Sequence, residues 1–241
     1  MLAEELKTLL ASILKQNLTA DAWAWLSVQG DFSNVTAFNA AFAVMPRKTG
    51  KALIWLTTEQ KEMLGRLRPG SSIDGWRADR LARVWLLQQP DTTDQDKYHR
   101  TLENLFSAAE MNELVSLYSA FPFLHYPEVW VERCAEGIRS NIGTVLEAIM
   151  YHNPYPAENL SEAAWNQLIL KAFFTEKNLT LITGVDQRAN AELSRILLDY
   201  GKERWAAGRT VDPMLWVIAE KFIDSQIINE LKQGHWEKLE A

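Results

Sequence analysis

Residues 98–121 read YHRTLENLFSAAEMNELVSLYSAF, and this stretch decides the fold class. Tyr98, Leu102, Leu105, Phe106 and Ala109 recur at i, i+4, i+7, i+8 and i+11. Leu114, Leu117, Tyr118 and Phe121 repeat the spacing one helix later. Such spacing lines apolar side chains along one face of a helix with about 3.6 residues per turn. Between the two series, Ser107-Ala-Ala-Glu110 reads as a capping box, where a hydroxyl and a carboxylate satisfy the open N–H groups of a helix start.

The same pattern spreads outward. Ile142, Val145, Leu146, Ile149 and Met150 form one stripe. Trp165, Leu168, Ile169, Ala172 and Phe173 form another, and Leu193, Ile196, Leu197 and Tyr200 a third. Asp74 and Ser161 suit N-cap positions, and Pro127 and Pro213 suit first helical turns. Pro46, Pro69, Pro90, Pro122, Pro154 and Pro156 fall between the helical patterns. The best alternating segment, Leu179-Thr-Leu-Ile-Thr183, is short and reads as an extended piece or a helix-linking turn. The expectation is an all-α protein: one domain over residues 1–241, with about ten to twelve helices of about 8 to 18 residues packed as antiparallel αα-hairpins. An α-solenoid-like stack fits this pattern, although no self-similarity recurs at a period of about 34 to 47 residues. The polar stretch from Gln88 to Lys97 reads as a surface loop.

Composition narrows the function classes. Hydrophobic residues make up 47% and charged residues 23%, and 241 residues bury a core without staples. The net charge of -6 argues against nucleic acid as the main partner, because phosphate binding needs a basic footprint. A single cysteine, Cys134, allows no internal disulfide and fits a reducing, cytoplasmic setting; within an apolar helix it reads as a buried thiol. The first residues carry acids where a signal peptide is basic, and no apolar run reaches the length of a membrane span. Asn17-Leu-Thr19, Asn34-Val-Thr36 and Asn178-Leu-Thr180 match glycosylation sequons by chance in such a chain. The ten tryptophans suit helix–helix cores, with about four in five expected inside.

The familiar catalytic motifs are missing. There is no G-x-G-x-x-G, no G-x-S-x-G and no E-x-x-H. Gly50-Lys51 lacks the first glycine and the Ser/Thr of a phosphate loop. His99, His125, His152 and His235 are scattered without metal-ligand spacing, so neither a metal nor a cofactor is expected. Asp199 and Glu203 lie four apart on one helix and read as a solvated pair near Lys202 and Arg204.

Candidate site residues come instead from polar groups in unusual places. The helix from Ser161 is apolar nearly all round, so Asn166, Gln167 and Lys171 on it call for polar partners or a ligand. In Ala135–Gly143, Glu136 and Arg139 have pairing distance along a helix, Gly137 and Gly143 allow close backbone approach, and Ser140 and Asn141 suit a break. The loop Tyr151-His-Asn-Pro-Tyr-Pro156 is stiffened by two prolines and carries His152, Asn153 and Tyr155. Arg47, Lys48 and Lys51 make a cationic junction suited to an anion. Trp76 with Asp79 and Arg83, and Asp186 with Arg188 and Asn190, add charged spots, of which Asp79–Arg83 reads as a structural i,i+4 pair.

Several stretches together resemble the EboA family of metabolite-traffic proteins. They are MPRKTGK from Met45, GWRADRLARVWLL from Gly75 and AEGIRSNIGTVLEAI from Ala135. NPYPAENLSEAAWNQLILKAFF from Asn153, GVDQRANAELSRILLDYGKERWAAGR from Gly184 and VDPMLW from Val211 continue the series. The likeness covers residues from about 30 to about 220, leaving the N-terminal helices outside it as a partner surface. The resemblance implies a bacterial protein encoded beside a prenyltransferase-like membrane protein and relatives of sugar-phosphate and cyclitol enzymes. It implies a part in making or moving a small metabolite toward the cell envelope. It carries no catalytic residue set.

Three readings follow. The first is an accessory helical protein that binds a small polar or anionic metabolite or a pathway protein. Arg47, Lys48, Arg139, Lys171, Arg188 and Arg204 supply cationic contacts. Asn141, Asn153, Tyr155, Asn166 and Gln167 supply hydrogen bonds, and Trp76 and Trp165 apolar walls. The second is an all-α enzyme acting on a cyclitol, sugar-phosphate or prenyl-type intermediate, with Glu136, Glu147 or Asp199 as acid or base and His152 as proton carrier. The third is a scaffold without a small-molecule site.

Overall fold

The computed structural model describes residues 2–29 and 34–223. Within them the chain forms fourteen α-helices and a few 3-10 turns and no strand, with an isolated bridge between Leu53 and Arg77. The helices fall into two compact units. The first unit, ending at Asn159, holds α1 (Leu2–Asn17), α2 (Ala20–Ser27), α3 (Val35–Thr49), α4 (Thr58–Leu67) and α5 (Ala78–Leu86). It continues with α6 (Gln95–Ala108), α7 (Met111–Ala120), α8 (Val131–Arg139), α9 (Gly143–Met150) and α10 (Tyr155–Asn159). The second unit, starting at Leu160, holds α11 (Glu162–Phe174), α12 (Val185–Arg188), α13 (Ala191–Ala206) and α14 (Met214–Ala219). The all-α class is as the periodicity predicts. The count exceeds ten to twelve because α10 and α12, of five and four residues, are too short to show a stripe.

Local chemistry explains most boundaries. Thr19, Asn34, Thr57, Asp94, Ser161 and Asn190 each accept a backbone N–H at a helix start. Two expectations need correction. Ser107 lies inside α6 and donates to the Glu103 carbonyl; the capping box of α7 is Glu110 with Glu113, about one helical turn later in the chain than read. Asp74 caps no helix and pairs with Lys61 at 2.8 Å; α5 starts after Arg77 without a side-chain cap. Of the two readings of residues 179–183 the helix-linking turn holds: Leu179–Leu181 is a 3-10 turn fixed by Asn178, whose side chain accepts from the Thr180 N–H. The sequon asparagines thus have structural work: Asn34 caps α3, Asn178 caps a 3-10 turn, and Asn17 clamps a segment. Asn17 Oδ1 accepts from Trp55 N and Asn17 Nδ2 donates to Trp55 O, both at 2.9 Å, so one amide does what a neighbouring strand would do.

In the first unit α5 is the hub, packing against α1, α3 and α7, while α7 packs against α9 and α1 against α4. Contacts of α1 with α4 and α5 join helices distant in the chain, whereas a solenoid joins only neighbours. Almost every α5 residue is buried, including Asp79 and Arg83. Arg83 Nη1 lies 3.4 Å from Asp79 Oδ2, and its Nη2 lies 3.7 Å from Glu113 Oε1 at the start of α7. Arg83 Nε donates to the Phe42 carbonyl at 2.9 Å. That last contact has a cause in the sequence. Pro46 lies inside α3 rather than between helices, and its missing N–H leaves the carbonyl four residues back, Phe42, without its helical donor. Arg83 supplies the donor. α8 and α9 meet where Gly137 gives room: a Cβ there would lie 2.5 Å from Ile149 Cδ1 and 2.6 Å from Tyr118 Cε1. Cys134 is fully buried beside this contact, and burial pushes its thiol pKa up. The tryptophans are less uniformly internal than expected: Trp76, Trp85, Trp130 and Trp165 are buried, whereas Trp55 is 58% exposed.

Two outcomes are expected. Replacing Arg83 by Met orphans Asp79 and Phe42 O and destabilises the protein by about 3–5 kcal/mol. Pro46→Ala restores the α3 hydrogen bond and recovers part of that loss, so a double-mutant cycle in urea shows coupling; strict additivity would sink the link. The second concerns alkali. Burial raises the phenol pKa of Tyr98, Tyr118 and Tyr155, Tyr118 to about 12. The protonated phenols therefore contribute stability that is complete below the unfolded pKa of about 10 and is lost as pH rises through the folded values. Absorbance at tyrosinate wavelengths should show these phenols ionising only with unfolding.

Candidate functional site

The expected site residues divide between the two units. Arg47, Lys48, Trp76, Glu136, Arg139, Asn141, Glu147, His152, Asn153 and Tyr155 belong to the first. Trp165, Asn166, Gln167, Lys171, Arg188, Asp199 and Arg204 belong to the second. His235 lies outside the described residues.

Many of them hold the fold. Asn153 is buried and its Nδ2 donates to the Tyr118 and Ala148 carbonyls at 3.3 and 2.9 Å. Tyr155 is buried and its hydroxyl donates to Pro127 O at 2.5 Å. Asn166 and Asn190 exchange side-chain bonds at 3.2 and 2.9 Å, so the polar group on the apolar α11 is satisfied by the cap of α13. Arg188 Nη2 donates to Leu160 O at 3.0 Å, with its guanidinium 5.3 Å from the Trp165 ring. Glu136 pairs with Arg133 at 2.6 Å rather than with Arg139. Arg139 is exposed in the last turn of α8. Arg47 and Lys48 occupy the last turn of α3, where cations complement the negative helix end; Lys48 Nζ lies 5.6 Å from the Trp25 ring. Asp199 sits in an exposed ladder with Arg195 and Lys202, and His152 and Gln167 are exposed.

Arg204 stands apart, because it faces a cavity of about 490 Å³ in the second unit, within the size range of small-molecule sites. Phe173, Leu179, Tyr200 and Val211 give it an apolar lining. Glu176, Lys177, Arg204 and Asp212 bring two acids and two bases to it. A second concavity of about 200 Å³ shares Tyr200 and Arg204 and adds Arg209 and Phe174. Arg204 is held in place: its Nε and Nη2 both donate to Thr210 O, at 3.2 and 3.1 Å.

Two helix ends build this cavity with one backbone motif. At the end of α13, Gly208 has φ 69, its N–H bonds Trp205 O at 2.8 Å and the Arg209 N–H bonds Arg204 O at 2.9 Å. This pattern turns the chain sharply and usually requires glycine at the left-handed position. At the end of α11 the same pattern recurs: Glu176 N–H bonds Phe173 O at 3.3 Å and Lys177 N–H bonds Ala172 O at 2.9 Å. Here the left-handed residue is Glu176, with φ 51. A side chain in this conformation costs about 1–2 kcal/mol, and the strained residue lines the cavity. Glu176→Gly should leave the unliganded protein as stable or up to about 1 kcal/mol more stable in chemical denaturation. A clear loss would show that the carboxylate is there for stability.

Of the charged residues that line this cavity, sequence reasoning named Arg204 and did not name Lys177, Glu176 or Asp212. Lys177 and Glu176 follow the last stripe residue of α11, where a polar residue reads as an ordinary helix end. The signals available were Gly208 and Pro213, which bracket a turn after a long helix. Among the described residues, no group of three or more His, Cys, Asp or Glu is placed to hold a metal ion, and no helix is long and apolar enough to cross a membrane.

The family comparison matches residues 6–220 to the model described as Metabolite traffic protein EboA, and the chain belongs to this family. The match takes in α1 and α2, which corrects the expectation that the likeness starts near residue 30. In this chain α1 packs on α4 and α5. No curated protein and no solved structure shows significant similarity to the chain.

Proposed function

We propose that this EboA-family protein serves metabolite traffic as an accessory cytoplasmic protein that binds a small polar metabolite in the second-unit cavity. The supporting observation is the charge balance of that cavity. Two acids and two bases over an apolar lining suit a neutral hydroxylated or zwitterionic molecule better than a phosphate dianion. Arg204 spends donors on Thr210 O, and each helix end carries the negative side of its dipole, so excess negative charge on a ligand is disfavoured. Glu176 is retained in a conformation that glycine would adopt freely, which fits a carboxylate kept to accept ligand hydroxyl or ammonium groups.

The test is thermal-shift screening of the full chain against polyols, sugars, amino acids and sugar phosphates. A ligand at about one hundred times its Kd stabilises by about 2.7 kcal/mol and raises Tm by roughly 5–10 °C. Glu176→Gly and Arg204→Ala should each reduce the shift while keeping a cooperative transition. No shift with any neutral or zwitterionic compound, or a shift indifferent to both variants, would defeat the reading.

A further inference from the structure

Arg80 is the cation on α5 that none of this uses. Its neighbour Arg83, one turn on, is matched to Asp79, Glu113 and the Phe42 carbonyl. Arg80 is treated differently. Its guanidinium carbon lies 4.0 Å from the centre of the Trp76 ring, and its Nε donates to Ser119 Oγ at 2.9 Å. Ser119 gives its own proton to the Val115 carbonyl, so its oxygen is held as an acceptor toward Arg80. The Trp76 platform is also fixed. Its backbone carbonyl accepts from Ile54 N at 2.9 Å, and its ring meets Phe123 edge-on at 6.4 Å. Stack and hydrogen bond together set the plane and rotation of the guanidinium.

The terminal Nη groups of Arg80 have no acceptor among the described residues. Asp79 and Glu147 act on Arg80 through space, yet no carboxylate of a described residue comes within the 4.0 Å of an ion pair. Burial lowers the Arg80 pKa to about 10, the sign of a charge that has lost water without gaining a full partner. A guanidinium whose Nε is engaged and whose Nη groups have no acceptor among the described residues keeps two parallel N–H donors, the fork that matches an oxyanion.

We propose that Arg80, stacked on Trp76 and braced by Ser119, is a receptor for the carboxylate of a small metabolite. One guanidinium matches one negative charge and a flat two-oxygen group. The fields of Asp79 and Glu147 penalise each further negative charge, which favours a carboxylate over a phosphate dianion. The site lies wholly in the first unit and does not rest on the cavity around Arg204.

The experiment titrates the 15N-labelled full-length protein with sodium acetate, against sodium chloride and sodium phosphate at equal ionic strength, following the arginine Nε–H resonances. The Arg80 resonance is the one absent from an Arg80→Lys spectrum. Acetate should shift it saturably and chloride should not. Phosphate should act at least several-fold more weakly. Trp76→Phe, which keeps an aromatic platform, should retain the response, and Trp76→Leu should weaken it. A response that never saturates, equals that of chloride, or is stronger with phosphate overturns the proposal. Binding around Arg204 reports at other resonances, so either reading can fail alone.

Discussion

A proline inside a helix and an arginine two helices later form the contact on which the first unit depends. Pro46 cannot donate to the Phe42 carbonyl, and Arg83 Nε does so instead at 2.9 Å. That bond places a guanidinium deep between α3, α5 and α7. The charge must then be balanced, and Asp79 and Glu113 do it. A buried ion pair adds little net stability against an apolar alternative. Its effect is to fix register: α5 cannot slide or rotate against α3 or α7 without stranding a charge. Trp76 at the entry of α5 and Ser119 at the end of α7 are held by the same registration, and with them the setting of Arg80.

The second unit works by other means. Its cavity lies beside the ends of α11 and α13, where the chain reverses through left-handed residues, Glu176 and Gly208. Backbone hydrogen bonds close both turns. One unit thus holds a cation oriented by Trp76 and Ser119, and the other a balanced set of charges around its cavity.

The fold was legible where helices are long. Stripes such as Tyr98 to Phe106 and Trp165 to Phe173 report a buried face whatever lies against it. Short helices such as α12 carry too few residues to show a period. Pro46 misled because a proline is a local break signal, and only the distant Arg83 makes it tolerable within α3. The site was less legible for a related reason. Asn153, Asn166 and Arg188 are polar residues in apolar surroundings, as a ligand site would require, but each finds a carbonyl or an amide of the protein. Which buried polar group is satisfied internally depends on contacts as remote as 35 residues, as between Asn153 and Tyr118, and no local pattern encodes them. Arg80 was overlooked since it sits between Asp79 and Arg83, whose i,i+4 spacing accounts for charge on that helix without it.

The clamp at Asn17 bears on how this protein can be made. Asn17 begins one of the three sequons, and its Nδ2 donates to both the Ile13 and the Trp55 carbonyls. Routed through a secretory pathway, the chain would meet the glycosylation machinery before folding. A sugar on that nitrogen replaces one of the two hydrogens and adds bulk where α1 meets the segment at Trp55. Secretion would therefore dismantle a contact that production inside a bacterial cell leaves intact.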